Sequence, residues 1–190
     1  IAKSLDIPLK LKNRIIWRFG HGGIAKTRFS GRYEVVLWYT LGDNYTFNLS
    51  DVGEQQKYPS KRQTLKKGGK ISGQFLGKNP EDVWDFNETV WDIPNVKSNH
   101  SEKTLHPCQF PIELIQKLTL ALTNKGDLVF DPYAGVHSTG CSSAMLDRCY
   151  IGSELDQKYS NMGVKRVNLA LDKKLVYREG NGIMNPKESA

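Results

Sequence analysis

Hydrophobic and polar positions divide the chain into three regions. Residues 13–19 (NRIIWRF) and 33–40 (YEVVLWYT) are rich in β-branched and aromatic types, which predicts two strands. The Gly-rich connection GHGGIAKTRFSG lies between them. Residues 41–105 are irregular and polar, with several turn signals and no repeat. Regular periodicity returns only after this stretch.

The last third of the chain alternates between helical and strand periodicity. Apolar residues at helical spacing predict a helix that begins with Pro111 in its first turn and stops before Gly126. The remaining pattern predicts strands at 127–131, 149–154 and 174–178 and helices at 138–147 and 156–171. Strands that alternate with helices indicate parallel βαβ units, so the predicted fold class is α/β with a three-layer sheet. Asp156 is predicted to be a helix N-cap.

Composition narrows the setting of the protein. The 190 residues are 38% hydrophobic, which suits one domain with a core. The three cysteines form no CxxC pair, which argues against a disulfide framework and a cysteine zinc site and favours a reducing, cytoplasmic setting. No apolar run approaches the roughly 20 residues of a membrane span. His100 and His106 are not at metal-ligand spacing, so we predict no metal site.

The net charge of +7 is unevenly distributed. Residues 55–80 contain no acidic side chain and carry a series of basic ones, namely Lys57, Lys61, Arg62, Lys66, Lys67, Lys70 and Lys78. Such a segment attracts polyanions, because each neutralised phosphate releases counterions. A solvated loop that only keeps the protein soluble is the alternative. Interleaved glycines and aromatic residues favour DNA or RNA contact, since they permit close backbone approach and base stacking.

Two carboxylates follow directly on predicted parallel strands, where the ligand of such a sheet binds. Asp131 opens the loop of LVFDPYAGVHSTG (128–140), and Glu154 ends the next strand. A triphosphate loop is excluded because Cys141 occupies the lysine position, and a dinucleotide fingerprint is weak because His137 replaces its middle glycine. The remaining option is a nucleoside without phosphates, with Glu154 accepting the ribose hydroxyls.

Three segments together carry a family resemblance. LVFDPYAGVHSTG, CYIGSELDQKY and EKTLHPCQFPIELIQKL resemble the cofactor half of the DNA amino-methyltransferases, which methylate adenine N6 or cytosine N4. The likeness is to their β arrangement, in which the catalytic half precedes the target-recognition region and the cofactor half comes last. It implies a Rossmann-like sheet and S-adenosylmethionine as cofactor, with Pro111 bordering the methionine end. The cofactor-binding residues that it implies are His106, Pro107, Asp131, Pro132, Tyr133, Gly135 and Glu154.

The resemblance also implies a domain organisation. Residues 1–40 would form a strand hairpin of the methyltransferase core, 41–95 an inserted target-recognition region, and 96–190 the S-adenosylmethionine-binding half. Double-stranded DNA is the implied partner, with adenine N6 favoured over cytosine N4 as the target and RNA a weaker option. Family position and charge together predict DNA contacts at His21, Arg28, Arg32, Lys57, Arg62, Lys66, Lys67, Lys70 and Lys78.

The sequence departs from the family pattern in two places. His137 stands where the family normally has glycine; it either is tolerated, since histidine is enriched at positive φ, or weakens the cofactor site. The catalytic motif, an Asp, Ser or Asn before Pro-Pro and an aromatic, is absent, because the chain contains no Pro-Pro. We therefore assign no catalytic residue here and expect the motif before residue 1, in a separate chain or an N-terminal segment.

The missing motif has a structural corollary. Strand 127–131 would normally pair with the catalytic strand, so we expect an exposed apolar edge that is prone to association, including dimerisation. The alternative function is a catalytically silent DNA-binding subunit or remnant of such an enzyme.

Overall fold

The computed structural model describes residues 8–19, 24–52, 65–66, 70–71, 91–97, 100–179 and 182–184. The strands are β1 (Lys10–Arg18), β2 (Tyr33–Thr40), β3 (Leu65–Lys66), β4 (Lys70–Ile71), β5 (Trp91–Asp92), β6 (Leu128–Asp131), β7 (Cys149–Gly152), β8 (Tyr177–Glu179) and β9 (Gly182–Met184). The helices are α1 (Leu49–Val52), α2 (Ile112–Leu122), α3 (Ser138–Met145) and α4 (Gln157–Leu171). Most of the predicted recognition region, 41–95, lies outside the described residues, so its boundaries stay a prediction.

Strands β1 and β2 form the antiparallel hairpin that the alternating pattern predicts. β1 begins three residues earlier than expected, with a register shift between Leu11 and Asn13, and β2 has the predicted bounds. β5 joins the other edge of β1 in parallel. Trp17 is buried against Leu114 of α2, and its indole N–H donates to the Ile93 carbonyl at 2.8 Å. One face of the hairpin thus packs on α2.

The helices form one connected layer. α2 packs against α3, and α3 packs against α4. The core between them contains Ile112, Cys141, Ala170 and Leu175. Pro111 lies at the N-cap of α2 rather than inside its first turn. Asp156 caps α4 as predicted, because its carboxylate accepts hydrogen bonds from the backbone N–H groups of the first turn.

Strands β6 and β7 are parallel neighbours with α3 as their crossover, which confirms the predicted βαβ unit. Tyr150 points to the helix side of this pair. A Cβ added to Gly140 of α3 would lie 2.6 Å from Cε1 of Tyr150, and one added to Gly152 would lie 2.0 Å from its hydroxyl. Glycine at both positions therefore lets the helix and the strand approach the ring.

The opposite face of both strand groups is bare. Leu128, Phe130 and Ile151 are 60%, 62% and 54% exposed. Tyr33, Val35 and Leu37 of β2 are likewise about half exposed. Within the described residues, no ladder joins the β1–β2–β5 sheet to the β6–β7 pair. Among the described residues β6 pairs only with β7, so its other edge is unpaired there, as the sequence predicts for residues 127–131. The exposed side chains lie on the face that the described helices leave uncovered.

Two predicted elements differ from the structure. The strand expected at 174–178 is β8 (Tyr177–Glu179), which pairs antiparallel with β9 and not with the parallel pair. The chain turns back after α4 at Lys173 (φ 58°), and the N–H groups of residues 174 and 175 both bond to the Leu169 carbonyl. Leu175 is buried against the helices, so this segment closes α4 instead of pairing. Helix α3 ends two residues early, before Asp147 at φ 61°.

Candidate functional site

The loop between β6 and α3 (131–137), here called the β6–α3 loop, is closed by its own first side chain. The carboxylate of Asp131 accepts from the Tyr133 N–H at 3.1 Å and from the Thr139 hydroxyl at 2.7 Å. One oxygen is therefore bonded within the loop and the other to the first turn of α3. The Pro132 carbonyl accepts from the Ser153 hydroxyl at 2.8 Å, which ties the loop to the end of β7.

Glu154 connects this loop to the start of α4. One carboxylate oxygen accepts from the Asp156 N–H at 2.9 Å and the other from the Gly135 N–H at 2.8 Å. These two bonds, the first more than the second, hold the pKa of Glu154 below its ordinary value, and His106 contributes to the same direction. Glu154 is therefore ionised near neutral pH. Each oxygen keeps a second lone pair with which it can accept a further donor.

His106 lies directly over Gly135, which adopts φ 52°. A Cβ added to that glycine would be 3.1 Å from Nε2 of the imidazole. Tyr159 of α4 also meets this ring edge-on, with centroids 4.6 Å apart. Helical spacing alone assigns Tyr159 to a packing face, so no functional role is predicted for it from the sequence. The structure thus brings His106, Gly135 and Glu154 together at the carboxyl ends of β6 and β7.

The segment that carries His106 is held by a buried polar network. Glu102 is buried and accepts from the Ile112 N–H at 3.0 Å and from the Arg178 N–H at 3.0 Å. Burial raises the pKa of Glu102 in spite of these bonds. Gln109 bridges the segment, since its amide donates to the Glu102 carbonyl and its oxygen accepts from Thr104. These contacts fix the approach of His106 and Pro107 to the loop.

Exposed apolar side chains adjoin these residues along the chain. Tyr133 belongs to the β6–α3 loop, Leu155 follows Glu154, and Leu105 precedes His106; all three are largely or wholly exposed. A site with backbone donors, an ionised carboxylate and exposed apolar walls suits a neutral or cationic ligand with hydroxyl groups and an aromatic ring. It does not suit a polyphosphate, because Asp131 and Glu154 would repel one.

His137 adopts the positive φ that the family's glycine would supply, at φ 56° and ψ 42°. This left-handed conformation costs a non-glycine residue about 1–2 kcal/mol. The ring is buried and packs on α4 at Gly163, on the helix side of the loop, whereas His106 covers Gly135. The turn is therefore preserved with histidine in place, and the ring does not lie against His106.

The predicted DNA-contact residues are only partly within the described chain. Arg28 is exposed in the β1–β2 connection, where Lys26 is also exposed, and Arg32 lies beside them with its carbonyl bonded to the Phe19 N–H. Phe29 is 100% exposed in the same loop. The sequence does not predict this exposure, because one aromatic residue in a polar segment can equally be buried. Lys66 and Lys70 pair across the β3–β4 ladder. The others lie outside the described residues, namely His21, Lys57, Arg62, Lys67 and Lys78.

Among the described residues, no group of three or more His, Cys, Asp or Glu side chains is placed to hold a metal ion. In the same part of the chain, no helix has the length and apolar character needed to cross a membrane.

Comparison with known proteins identifies the family. A sequence model of the DNA methylases, N6_N4_Mtase, matches residues 1–165. The chain belongs to this family. The chain is 35% identical over 187 residues to the type II methyltransferase M.BglII of Bacillus subtilis, a match that covers 93% of the chain and 50% of M.BglII. It is 32% identical over 165 residues to the DNA adenine methyltransferase YhdJ of Escherichia coli (strain K12), covering 84% of the chain and 53% of YhdJ. The chain thus spans about half the length of these relatives.

Solved structures confirm the fold of the chain. The PvuII DNA methyltransferase (cytosine-N4-specific) aligns with a TM-score of 0.55 at 16% identity, over 85% of this chain and 56% of its own. The M1.HpyAVI–SAM complex aligns with a TM-score of 0.54 at 22% identity, over 84% of this chain and 63% of its own. The fold class is therefore the Rossmann-like α/β fold that the sequence predicts.

Proposed function

We propose that this chain binds S-adenosylmethionine at the β6–α3 loop and takes part in methyl transfer to the exocyclic amino group of adenine (N6) or cytosine (N4) in DNA. The observation that carries the proposal is the convergence of His106, Gly135 and Glu154 at the carboxyl ends of β6 and β7. When bound, the cofactor would supply an activated methyl group on its sulfonium. The chain's own residues would hold and orient it.

The residues present fit this cofactor. Glu154 is ionised, and each of its oxygens retains a lone pair for a ribose hydroxyl. Tyr133 and Leu155 offer exposed apolar surface for the adenine base. His106 lies over Gly135 and is followed by Pro107, and the family resemblance assigns both to the methionine end. Asp131 holds the loop through the Tyr133 N–H and the Thr139 hydroxyl, and each of its oxygens likewise keeps a lone pair for the ligand.

DNA is the proposed substrate. The β1–β2 connection presents Lys26 and Arg28 to solvent beside the fully exposed ring of Phe29. Basic side chains neutralise phosphates, and an exposed aromatic ring can stack on a base. We favour adenine N6 over cytosine N4, because the relative named a DNA adenine methyltransferase is 32% identical. The cytosine-N4-specific structure is only 16% identical.

The catalytic group is proposed to come from a complementary polypeptide segment, which contains the Pro-Pro motif that residues 1–190 lack. In the described part of the chain, one apolar face of β1–β2 and one of β6–β7 are exposed, and β6 pairs only with β7. These features suggest that the segment supplies at least one strand that pairs with β6 and apolar helices that cover the exposed face of each strand group. The half-length match to the relatives gives such a segment an appropriate size.

A test of cofactor binding comes first. Native mass spectrometry and calorimetry of the purified protein, together with any polypeptide that co-purifies with it, should show one S-adenosylmethionine bound per chain. Glu154→Gln should weaken binding by roughly tenfold or more, because an amide offers one acceptor oxygen where the carboxylate offers two. Glu34→Gln, an exposed glutamate on β2, is the matched control and should leave binding unchanged. A folded wild-type preparation that ignores the cofactor would overturn the proposal.

One observation favours a second candidate, a catalytically silent DNA-binding subunit. The chain contains no Pro-Pro sequence and hence no catalytic motif of the family type. This candidate predicts salt-sensitive DNA binding without cofactor affinity and without methylation of DNA in the presence of a complementary segment. Transfer of labelled methyl groups from S-adenosylmethionine to DNA separates the two candidates.

A further inference from the structure

The side chain of His137 occupies a space that exists because residue 163 is glycine. A Cβ added to Gly163 of α4 would lie 2.2 Å from Cδ2 and 2.5 Å from Cγ of the imidazole. The ring of Tyr150 meets the imidazole edge-on, with centroids 5.7 Å apart. The imidazole is thus seated between a helix and a strand, on the core side of the β6–α3 loop.

The backbone of the same residue joins the loop to α3. The His137 N–H donates to the Ala134 carbonyl at 2.7 Å, and its carbonyl accepts from the Cys141 N–H at 2.9 Å. His137 is also the N-cap of α3, in the left-handed conformation. Because one residue closes the loop, starts the helix and seats its ring against α4, displacement of the ring would move the point where the loop leaves the helix.

The seat suits a neutral ring. Nε2 of His137 and the hydroxyl of Tyr150 are buried and have no hydrogen-bond partner among the described residues. Burial is the main cause that lowers the pKa of His137, and the charge of Arg166 on α4 acts in the same direction. Asp131 at the end of β6 and Glu154 after β7 oppose the shift. Protonation at acid pH would place a charge in a site that offers no acceptor for it.

We propose that His137 is a positioning residue for the cofactor, whose ring, seated at Gly163, holds the β6–α3 loop where Gly135 meets Glu154. This inference rests on the S-adenosylmethionine binding proposed above. In the sequence, histidine stands where the family normally has glycine. In the structure its ring is buried, in the space that Gly163 leaves on α4.

A double-mutant cycle tests the pairing. Gly163→Ala should weaken S-adenosylmethionine binding by about tenfold, within the range of coupling between residues in contact. In a His137→Gly background the same Gly163→Ala change should cost less than about threefold, because no ring remains to be displaced. Val164→Ala, on the exposed side of α4, is the control and should have no effect. Equal losses from Gly163→Ala in both backgrounds would overturn the pairing.

A pH profile separates positioning from simple packing. Because burial holds the pKa of His137 below the ordinary value of about 6.5, wild-type affinity for S-adenosylmethionine should be level above pH 6.5 and fall below it, as the imidazole gains a proton and is displaced from Gly163. His137→Asn tolerates the same backbone conformation without titrating, so its affinity should stay level below that pH as well. Identical profiles for the two proteins would overturn the inference.

Thermal unfolding without cofactor distinguishes the two ways of failing. Wild-type protein that binds S-adenosylmethionine but shows no coupling between positions 137 and 163 would overturn this inference alone. Wild-type protein that binds no cofactor, even if melting temperatures reveal the coupling, would overturn both the proposed function and the positioning role, and would leave the pair a purely structural contact.

Discussion

At the scale of single residues, glycines set how closely the helices approach the cofactor loop. Gly140 and Gly152 flank the ring of Tyr150, and Gly163 receives the ring of His137. The contacts of Gly140 and Gly163 join residues that are 10 and 26 positions apart in the sequence. A glycine count therefore gives no indication of them, whereas the local cap at Asp156 follows directly from the sequence.

Gly140→Ala should destabilise the protein. The added methyl would lie 2.6 Å from Tyr150 and 2.9 Å from Val167, so both side chains must move. Overpacking of this kind costs typically about 1–3 kcal/mol, which corresponds to roughly 3–10 °C in melting temperature for a chain of this size. The measurement is thermal unfolding followed by circular dichroism.

Gly42→Ala is the matched control for that experiment. An added Cβ at Gly42 meets nothing within 4 Å. The same substitution there should leave the melting temperature nearly unchanged. Equal melting temperatures for the two variants would show that the space around Tyr150 is not filled as described.

At the scale of elements, Glu102 is the anchor that joins the His106 segment to its surroundings. Its two oxygens accept backbone N–H groups from the start of α2 and from β8, and its own carbonyl accepts from Gln109. The helices and the parallel pair were predictable because their periodicity is local. The Glu102 network and the pairing of β8 were not, because both depend on which segments meet in space.

Glu102→Gln should lower the melting temperature at pH 5 by roughly 5 °C. The amide nitrogen of glutamine cannot accept a hydrogen bond, so one of the two buried N–H groups would lose its acceptor, which reduces the free energy of unfolding by about 1–3 kcal/mol. Burial raises the pKa of Glu102 in the folded state. Its contribution to stability is therefore complete below the unfolded pKa and is lost as pH rises through the folded pKa. The gap between wild type and variant should narrow from pH 5 towards pH 8.

The control for this series is Glu34→Gln, since Glu34 is exposed on β2. Its melting temperature should follow that of the wild type at every pH. A gap for Glu102→Gln that widens with rising pH would contradict the assignment, because it would make the ionised carboxylate the stabilising form.

The bare face of β6–β7 carries a chemical probe. Cys149 is exposed and lies opposite Leu128 on that face, whereas Cys141 is buried. Burial raises the pKa of the Cys141 thiol to about 11, so it should not react near neutral pH. In a Cys108→Ser variant, which removes the other exposed thiol, iodoacetamide should modify Cys149 alone.

The same labelling reports on the complementary segment. The half of M.BglII outside the match is a suitable probe, because it represents the part of a relative that this chain lacks. Co-expression with it should protect Cys149 from iodoacetamide, as read by peptide mass mapping. A stable complex in which Cys149 still reacts at the original rate would show that this face is not where the segment packs.

At the scale of the whole molecule, the net charge of +7 and the exposed basic connection predict salt-dependent DNA binding. Arg28→Ala should reduce the slope of log affinity against log salt by roughly 1, the effect of losing one phosphate contact. Lys125→Ala is the control, because Lys125 pairs with Asp147 at the amino-terminal ends of β6 and β7, the ends opposite the candidate site. Fluorescence anisotropy over a salt series gives both slopes. An unchanged slope for Arg28→Ala would remove this loop from the interface.

The family was predictable at this scale because three motifs stand in a fixed order, and the α/β class followed from alternating periodicities. The arrangement of the strand groups was less predictable. Only the exposed edge at residues 127–131 could be predicted, since it follows from the missing catalytic strand. The exposed face of β2 could not be predicted, because the sequence of Tyr33, Val35 and Leu37 is that of an ordinary strand and does not show that this face is uncovered.

The bare faces also determine how activity should respond to dilution. A complementary segment on a separate chain must be captured from solution, so the active fraction would fall as both chains are diluted. A segment joined by a linker acts at an effective concentration of about the millimolar range, and dilution would leave the assembly intact. If the enzyme is split into two chains, its methylation activity in dilute solution would vary as the product of the concentrations of this chain and the complementary chain, rather than in proportion to one of them.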